Sequence, residues 1–189
     1  MKAYEFQPIR TERMTLRLLA PTDVDDVHAF HSDPDVVQYM LFEPRPREEV
    51  AEKLAEWSTA TRIEKVDDFV QPAMQLDDGR VIGLIYFKLT SVDDLTAEIG
   101  WAIHQDFHGQ GYAYEAASAM LDVAFGALGL HRVYAELDPR NTASIRLCER
   151  LGMRSEAYFV EHMMFKGAWA DTGIYGILDR EWMGRATPG

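Results

Sequence analysis

Alternation and helical periodicity resolve most of the chain into strands and helices. In Thr11 to Leu19, Met14, Leu16 and Leu18 alternate against Thr15 and Arg17, which predicts a first strand. Pro21 and Thr22 open a helix with Val24, Val27 and Phe30 on its inner face. Thr22 is expected to cap it, with Asp25 at the reciprocal position, and Asp33-Pro34 to end it. A second helix follows Pro46, carrying Val50, Leu54 and Trp57 on one stripe and Glu48, Glu49, Glu52 and Glu56 outside. Phe69 to Leu76 and Arg80 to Leu89 read as strands joined across Asp77-Asp78-Gly79. Pro72 marks the first as an edge or an irregular strand. The second is apolar on both faces and therefore central.

The rest of the chain is organised around Glu98 to Ala117. Ala97, Ile99, Trp101 and Ile103 alternate against Glu98, Gly100, Ala102 and His104, as in a strand. From Tyr112 the period changes to that of a helix, with Ala113, Ala116, Ala117, Met120, Ala124 and Leu128 apolar. A further strand follows in His131 to Leu137, then a short helix from Thr142 to Leu151 stopped by Gly152. Tyr158 to Phe165 and Ala170 to Leu178 make a last hairpin across Lys166-Gly167. No repeat, linker or low-complexity tract interrupts the pattern. The expectation is an α+β fold on a mixed sheet, with residues 1–189 as one domain.

Composition narrows the function classes. The 189 residues carry a formal net charge of −12, which argues against general nucleic-acid or anionic-membrane binding and suits a cationic substrate. The lone Cys148 excludes an intramolecular disulfide framework and points to a reducing compartment. No apolar run approaches the roughly 20 residues of a membrane span. The first residues lack the apolar core of a signal peptide. A cytoplasmic enzyme or binding protein is expected.

Between strand and helix lies Gly109-Gln110-Gly111. A glycine turn that opens a helix exposes unpaired amides at the positive end of the helix dipole, a ready site for a phosphate or pyrophosphate. Turns of this kind also occur simply to join a strand to a helix. A P-loop is excluded, because Tyr112-Ala113 stands where Lys-Ser or Lys-Thr is required. A dinucleotide fingerprint has Tyr114 in place of its third glycine, although Glu136 supplies an acidic residue after the next strand. His104, His108 and His131 have no metal-ligand spacing, and no metal is expected. Trp57, Trp101, Trp169 and Trp182 read as core or rim residues.

The segment His108 to Ala113 fits the third pattern, [Q/R]-x-x-G-x-[G/A], with His108 departing at its first position. One strand later Asp138 to Met153, DPRNTASIRLCERLGM, fits D-x-x-N-x-x-[A/S]-x-x-L-[Y]-x-x-x-G-[F/M], with Cys148 departing at the tyrosine position. With EIGW, GQGYAYEA and the tail KGAWADTGIYGILDREW, the chain resembles the GNAT N-acetyltransferases, in particular their RimJ/RimL-like branch, over nearly its whole length. The resemblance implies a sheet whose central strands splay, and acetyl-CoA as cosubstrate. Its pantetheine would lie between the strand of Glu98 and that of Tyr134, against backbone near Ile103. His108, Gly109, Gln110, Gly111, Tyr112 and Ala113 would form the pyrophosphate loop through their amides, and a strand amide would receive the oxyanion.

Acetyl transfer to an amine also needs a proton acceptor and help for the leaving thiolate. Glu98 is the candidate base, directly or through water. Asn141 could orient pantetheine or substrate, and is equally a preferred helix cap. Ser144 matches a serine proposed as the thiolate's proton donor in RimL-type relatives. The tyrosine many GNAT enzymes use seven residues after the motif asparagine is here Cys148, which also reads as a small buried residue. Arg146 and Arg150 read as solvated helix positions. The acceptor implied is a small amine or a protein N-terminus, with direct transfer in a ternary complex, and a homodimer is left open. A non-catalytic acyl-CoA-binding module on the same fold is the competing reading. The loops Tyr39 to Arg47 and Glu161 to Trp169 are expected to face the substrate.

Overall fold

The computed structural model describes residues 3–185. In chain order the elements are β1 (Tyr4–Glu5), β2 (Ile9–Arg10), β3 (Met14–Arg17), α1 (Val24–His31), α2 (Pro34–Val37), α3 (Arg47–Trp57), β4 (Arg62–Ile63), β5 (Phe69–Val70), β6 (Ala73–Leu76), β7 (Val81–Ser91) and β8 (Thr96–Ile103). They continue with α4 (Tyr112–Asp122), β9 (Arg132–Leu137), α5 (Thr142–Arg150), β10 (Arg154–Phe165), β11 (Ala168–Leu178) and α6 (Asp179–Met183). The main sheet runs β10-β11-β9-β8-β7-β6-β3-β2, with β5 also on β7. Its pairs are antiparallel except β8 with β9, so the sheet is mixed as expected.

Each face of the sheet is covered by helices. On one, Ala116, Ala117 and Met120 of α4, Leu147 of α5 and Leu151 just past its end pack on Ala97, Ile99, Val133 and Ala135. On the other, Val27 and Phe30 of α1 and Val50 and Leu54 of α3 pack on Ala73 and Leu84. All four of these α1 and α3 side chains are fully buried, so truncating Phe30 or Leu54 to alanine should cost about 2–5 kcal/mol. The strand β8 therefore divides its side chains between two environments. Ala97 and Ile99 point to the α4–α5 side, and Ala102 to the α1–α3 side.

Several boundaries differ from the sequence pattern. Asp23, rather than Thr22, closes the start of the first helical segment. Its carboxylate accepts from the Ala20 amide at 2.8 Å and is gripped by Arg17 of β3 through two bonds of 2.8 Å. Asp25, expected in the capping box, instead pairs with Arg47 at 2.7 Å. Asp33 does not merely end α1 but caps α2, accepting from the Asp35 amide at 2.9 Å. The expected strand 69–76 is split at Pro72, which lacks an amide for the ladder. The register on β7 is unbroken across the split, from Val70↔Phe87 to Ala73↔Leu84. Beyond α4 the helix widens into a π turn over Val123–Ala127, where the Leu128 amide reaches back to the Val123 carbonyl at 3.0 Å. The last hairpin turns at Lys166 and Gly167, both at positive φ, as a two-residue hairpin turn requires.

Candidate active site

The parallel pairing of β8 with β9 lasts only from Thr96↔Arg132 to Glu98↔Tyr134, whereas β8 stays paired with β7 out to Gly83↔Ile103. The strands therefore part at Glu98. Backbone groups alternate edges along a strand. The His104 amide donates to Ile82 on the β7 side at 2.8 Å, so Trp101 and Ile103 present theirs to the widening gap. One of these groups has a partner already: the Ile103 carbonyl accepts from His108 Nε2 at 2.9 Å, which places the proton of that ring on Nε2. The sequence assigned His108 only a backbone role. Its side chain in fact ties the end of β8 to the glycine turn.

The turn itself is shaped by Gly109 at φ +70° and Gly111 at φ +86°. Gly111 caps α4, and the first helical amide to find a backbone carbonyl is that of Glu115, which donates to Gly111 at 3.0 Å. Among the described residues, the amides of Gly109, Gln110, Gly111, Tyr112, Ala113 and Tyr114 have no backbone acceptor. Sequence reading missed the residue that holds this turn open. Arg13 donates to the Gln110 carbonyl at 2.9 Å and to Glu115 at 2.7 Å, and lies 4.2 Å from the Tyr112 ring. Thr11 adds a 2.6 Å bond to Glu115. Beside the turn runs a groove of about 810 Å³ on the outer side of α4, with Arg150 on its rim over the Tyr114 ring.

A smaller pocket, about 100 Å³, lies on the opposite side of β8 and is where Glu98 sits. Glu98 shares this pocket with Glu136, Asp138 and Asp171, and Tyr39 and Phe165 also line it. Tyr39 and Phe165 come from the two loop regions expected to face the substrate. The carboxylates are not equivalent. Burial, and then the charge of Glu136, push Glu98 above the usual carboxylate range against the pull of Lys88. Asp138 is held low by its bonds to Arg140, and Asp171 by bonds from Tyr158 and the Glu161 amide. Asp138 and Asp171 are thus shifted toward the anion and Glu98 toward the neutral acid. The gathering of Glu136, Asp138 and Asp171 escaped the sequence, because it depends on how β9 and β11 lie beside β8.

On α5, Asn141 is the helix cap: its Oδ1 accepts from the Ser144 amide at 3.0 Å. Ser144 is half-buried, and its Oγ accepts from the Trp101 indole at 3.2 Å, a contact that reaches from β8 to α5. From sequence Trp101 reads only as a core or rim residue. Cys148 is fully buried in the α4–α5 core, and burial pushes its thiol up to about 12. Among the described residues no cluster of three His, Cys, Asp or Glu side chains could hold a metal, and no helix is long and apolar enough to cross a membrane.

An acetyltransferase (GNAT) domain model matches residues 13–154, three quarters of the chain. The chain belongs to the GNAT acetyltransferase family. An uncharacterized N-acetyltransferase of Bacillus subtilis (strain 168), YnaD, is 31% identical over 92% of this chain and 98% of its own. A GNAT-family acetyltransferase from Bacillus anthracis superposes with a TM-score of 0.84 at 30% identity, over 93% of this chain and 100% of that one. A spermidine N-acetyltransferase from Vibrio cholerae, in complex with CoA and spermine, has the same fold, with a TM-score of 0.76 at 22% identity over 91% and 99%. GNAT enzymes use acetyl-CoA, and the residues present fit it. The amides around Gly111 suit a pyrophosphate, and the open backbone of Trp101 suits the peptide-like arm of pantetheine. GNAT membership accounts for the parted strands, and it leaves the acceptor open.

Proposed function

We propose that this GNAT protein is an acetyl-CoA-dependent N-acetyltransferase of the RimJ/RimL-like branch, acting in the cytoplasm on a cationic primary amine. The observation that carries the reading is the parting of β8 and β9 just past Glu98, between free helix amides on one face and a carboxylate pocket on the other. Cosubstrate and acceptor would approach the gap from opposite faces and react in a ternary complex, without a covalent enzyme intermediate. Asp138 and Asp171 would attract the ammonium group, and Glu98 would take its proton, directly or through water. A pocket of about 100 Å³ suits the tip of an aminoalkyl chain or a peptide N-terminus.

The reaction balances with the residues present. Once Glu98 has taken one proton, the amine nitrogen bonds to the acetyl carbon, the carbon–sulfur bond breaks, and the electron pair leaves on sulfur. Nitrogen loses a second proton as the amide forms, the thiolate gains one, and one proton passes to solvent. The Trp101 amide would receive the oxyanion. The Ser144 hydroxyl would hydrogen-bond the leaving thiolate, whose conjugate acid has a pKa near the ~8.5 of an ordinary thiol. Cys148 would take no part.

The test is release of free CoA from acetyl-CoA against polyamines, monoamines, amino acids and N-terminal peptides. Turnover with cationic amines supports the reading, and the preferred length separates a small amine from a protein N-terminus. Tight CoA binding with no turnover on any amine would instead leave the acyl-CoA-binding module as the function.

A further inference from the structure

The contact between Trp101 and Ser144 has a chemical direction. An indole nitrogen can only donate, so the Ser144 oxygen must accept at 3.2 Å. The backbone amide of Ser144 is already bound by Asn141 at 3.0 Å, so both ends of the residue are held. Among the described residues nothing accepts from the Ser144 hydroxyl in return. Its single proton is therefore free, and a hydroxyl that accepts a hydrogen bond is polarised to donate a stronger one. Serine in a helix commonly turns its proton back onto a backbone carbonyl of the preceding turn. Here the indole instead approaches from β8, three residues past the last β8–β9 pair at Glu98↔Tyr134, so the hydroxyl is held on the side of the gap.

We propose that Trp101 is a positioning residue for acetyl transfer: its indole N–H holds the Ser144 oxygen as an acceptor and so directs the Ser144 proton to the sulfur of the departing thiolate. The inference rests on the reading that Ser144 serves that leaving group. As the carbon–sulfur bond breaks and the electron pair collects on sulfur, the hydrogen bond from Ser144 strengthens. Ser144 keeps its own proton as a hydrogen-bond donor, and the thiolate is completed by one of the two protons that nitrogen gives up, relayed through solvent. The Trp101 indole neither gains nor loses a proton, and it acts only through the oxygen it orients.

The experiment is a double-mutant cycle with Trp101→Phe and Ser144→Ala, following kcat, KM for acetyl-CoA and thermal midpoint. Trp101→Phe keeps most of the ring area and removes the donor. It should lower kcat about threefold to tenfold with KM changed less than twofold. Ser144→Ala should lower kcat about tenfold to a hundredfold. In the Ser144→Ala background, Trp101→Phe should cost nothing further, which a merely structural role of the indole would not produce. Independent, multiplying losses in the double mutant would overturn the proposal, as would a normal kcat in Trp101→Phe beside an impaired Ser144→Ala. If Ser144→Ala turns over normally, the thiolate role of Ser144 falls and this inference with it, while the N-acetyltransferase reading stands. If wild-type protein acetylates no amine, the broader reading fails instead. Should Trp101→Phe unfold, Trp101→His supplies a smaller ring that can still donate. Retained kcat in that variant, lost again in Trp101→Leu, would support the indole N–H as the active feature.

Discussion

The two faces of the sheet at the parted strands are polar in different ways. On the α4–α5 face the polar groups are mostly backbone: amides around Gly111 and the open edge at Trp101. On the α1–α3 face they are side chains, with Glu98, Glu136, Asp138 and Asp171 in one small pocket. Backbone polarity cannot be edited by ordinary substitution, only blocked or misplaced. Side-chain polarity can be removed one charge at a time. The backbone groups of the first face should therefore respond through affinity, and the side chains at the gap through turnover and, for the carboxylates, its pH dependence.

The largest effect should come from the carboxylate face. Glu98→Gln removes the proton acceptor and should lower kcat by about 10²–10⁴-fold, with acetyl-CoA affinity within twofold in calorimetric titration. A mutant of near-normal turnover would make Glu98 structural. On the backbone face, Gly111→Val should raise the acetyl-CoA dissociation constant tenfold or more, about 1.4 kcal/mol. Gly111 sits at φ +86°, which a β-branched residue resists, and an added Cβ would lie 3.4 Å from the Arg13 guanidinium. Arg13→Ala should weaken binding by a smaller factor, about threefold to tenfold, by loosening the turn without touching an amide. Loss of kcat with unchanged affinity in either variant would contradict the division between the faces.

Glu136→Gln tests the sign of the electrostatics. Burial and Glu136 together raise Glu98, so kcat/KM should fall as pH drops through that raised value. Removing the Glu136 charge should move this acid limb to lower pH, while burial keeps it above the usual carboxylate range. A limb that stays in place would mean that another group sets it. The smallest effect belongs to His108→Ala. It deletes a hydrogen bond to Ile103 and leaves the amides alone, so CoA affinity should change less than threefold. A larger loss than that of Gly111→Val would reassign the turn to its side chains.

The same division explains what could be read from sequence. The glycine turn is legible because the residues that permit positive φ are themselves the signal: Gly109 and Gly111 adopt it where expected. Alternation places Glu98 on the face it occupies, and Asn141 is legible as a cap from its place before a helix. Arg13 was not. It meets Glu115 across 102 positions, and nothing in either segment announces the other. Tyr39 and Phe165 lie in segments expected to face the substrate, yet their sharing one pocket with Asp171 and Glu98 depends on how the strands are paired. Local chemistry is written in the chain, whereas contacts between distant edges are set by packing.

Cys148 carries a consequence of a different kind. Only a thiolate reacts with an alkylating reagent, and this thiol is sealed in the core with its pKa pushed up to about 12. Modification in native buffer must then wait for α5 to lift or the chain to open. Because the sequence has no other cysteine, every label marks that event. Labelling kinetics in the unmodified protein would therefore time the breathing of the helix that carries Ser144. Repeated at increasing acetyl-CoA, they would show whether filling the gap quiets it.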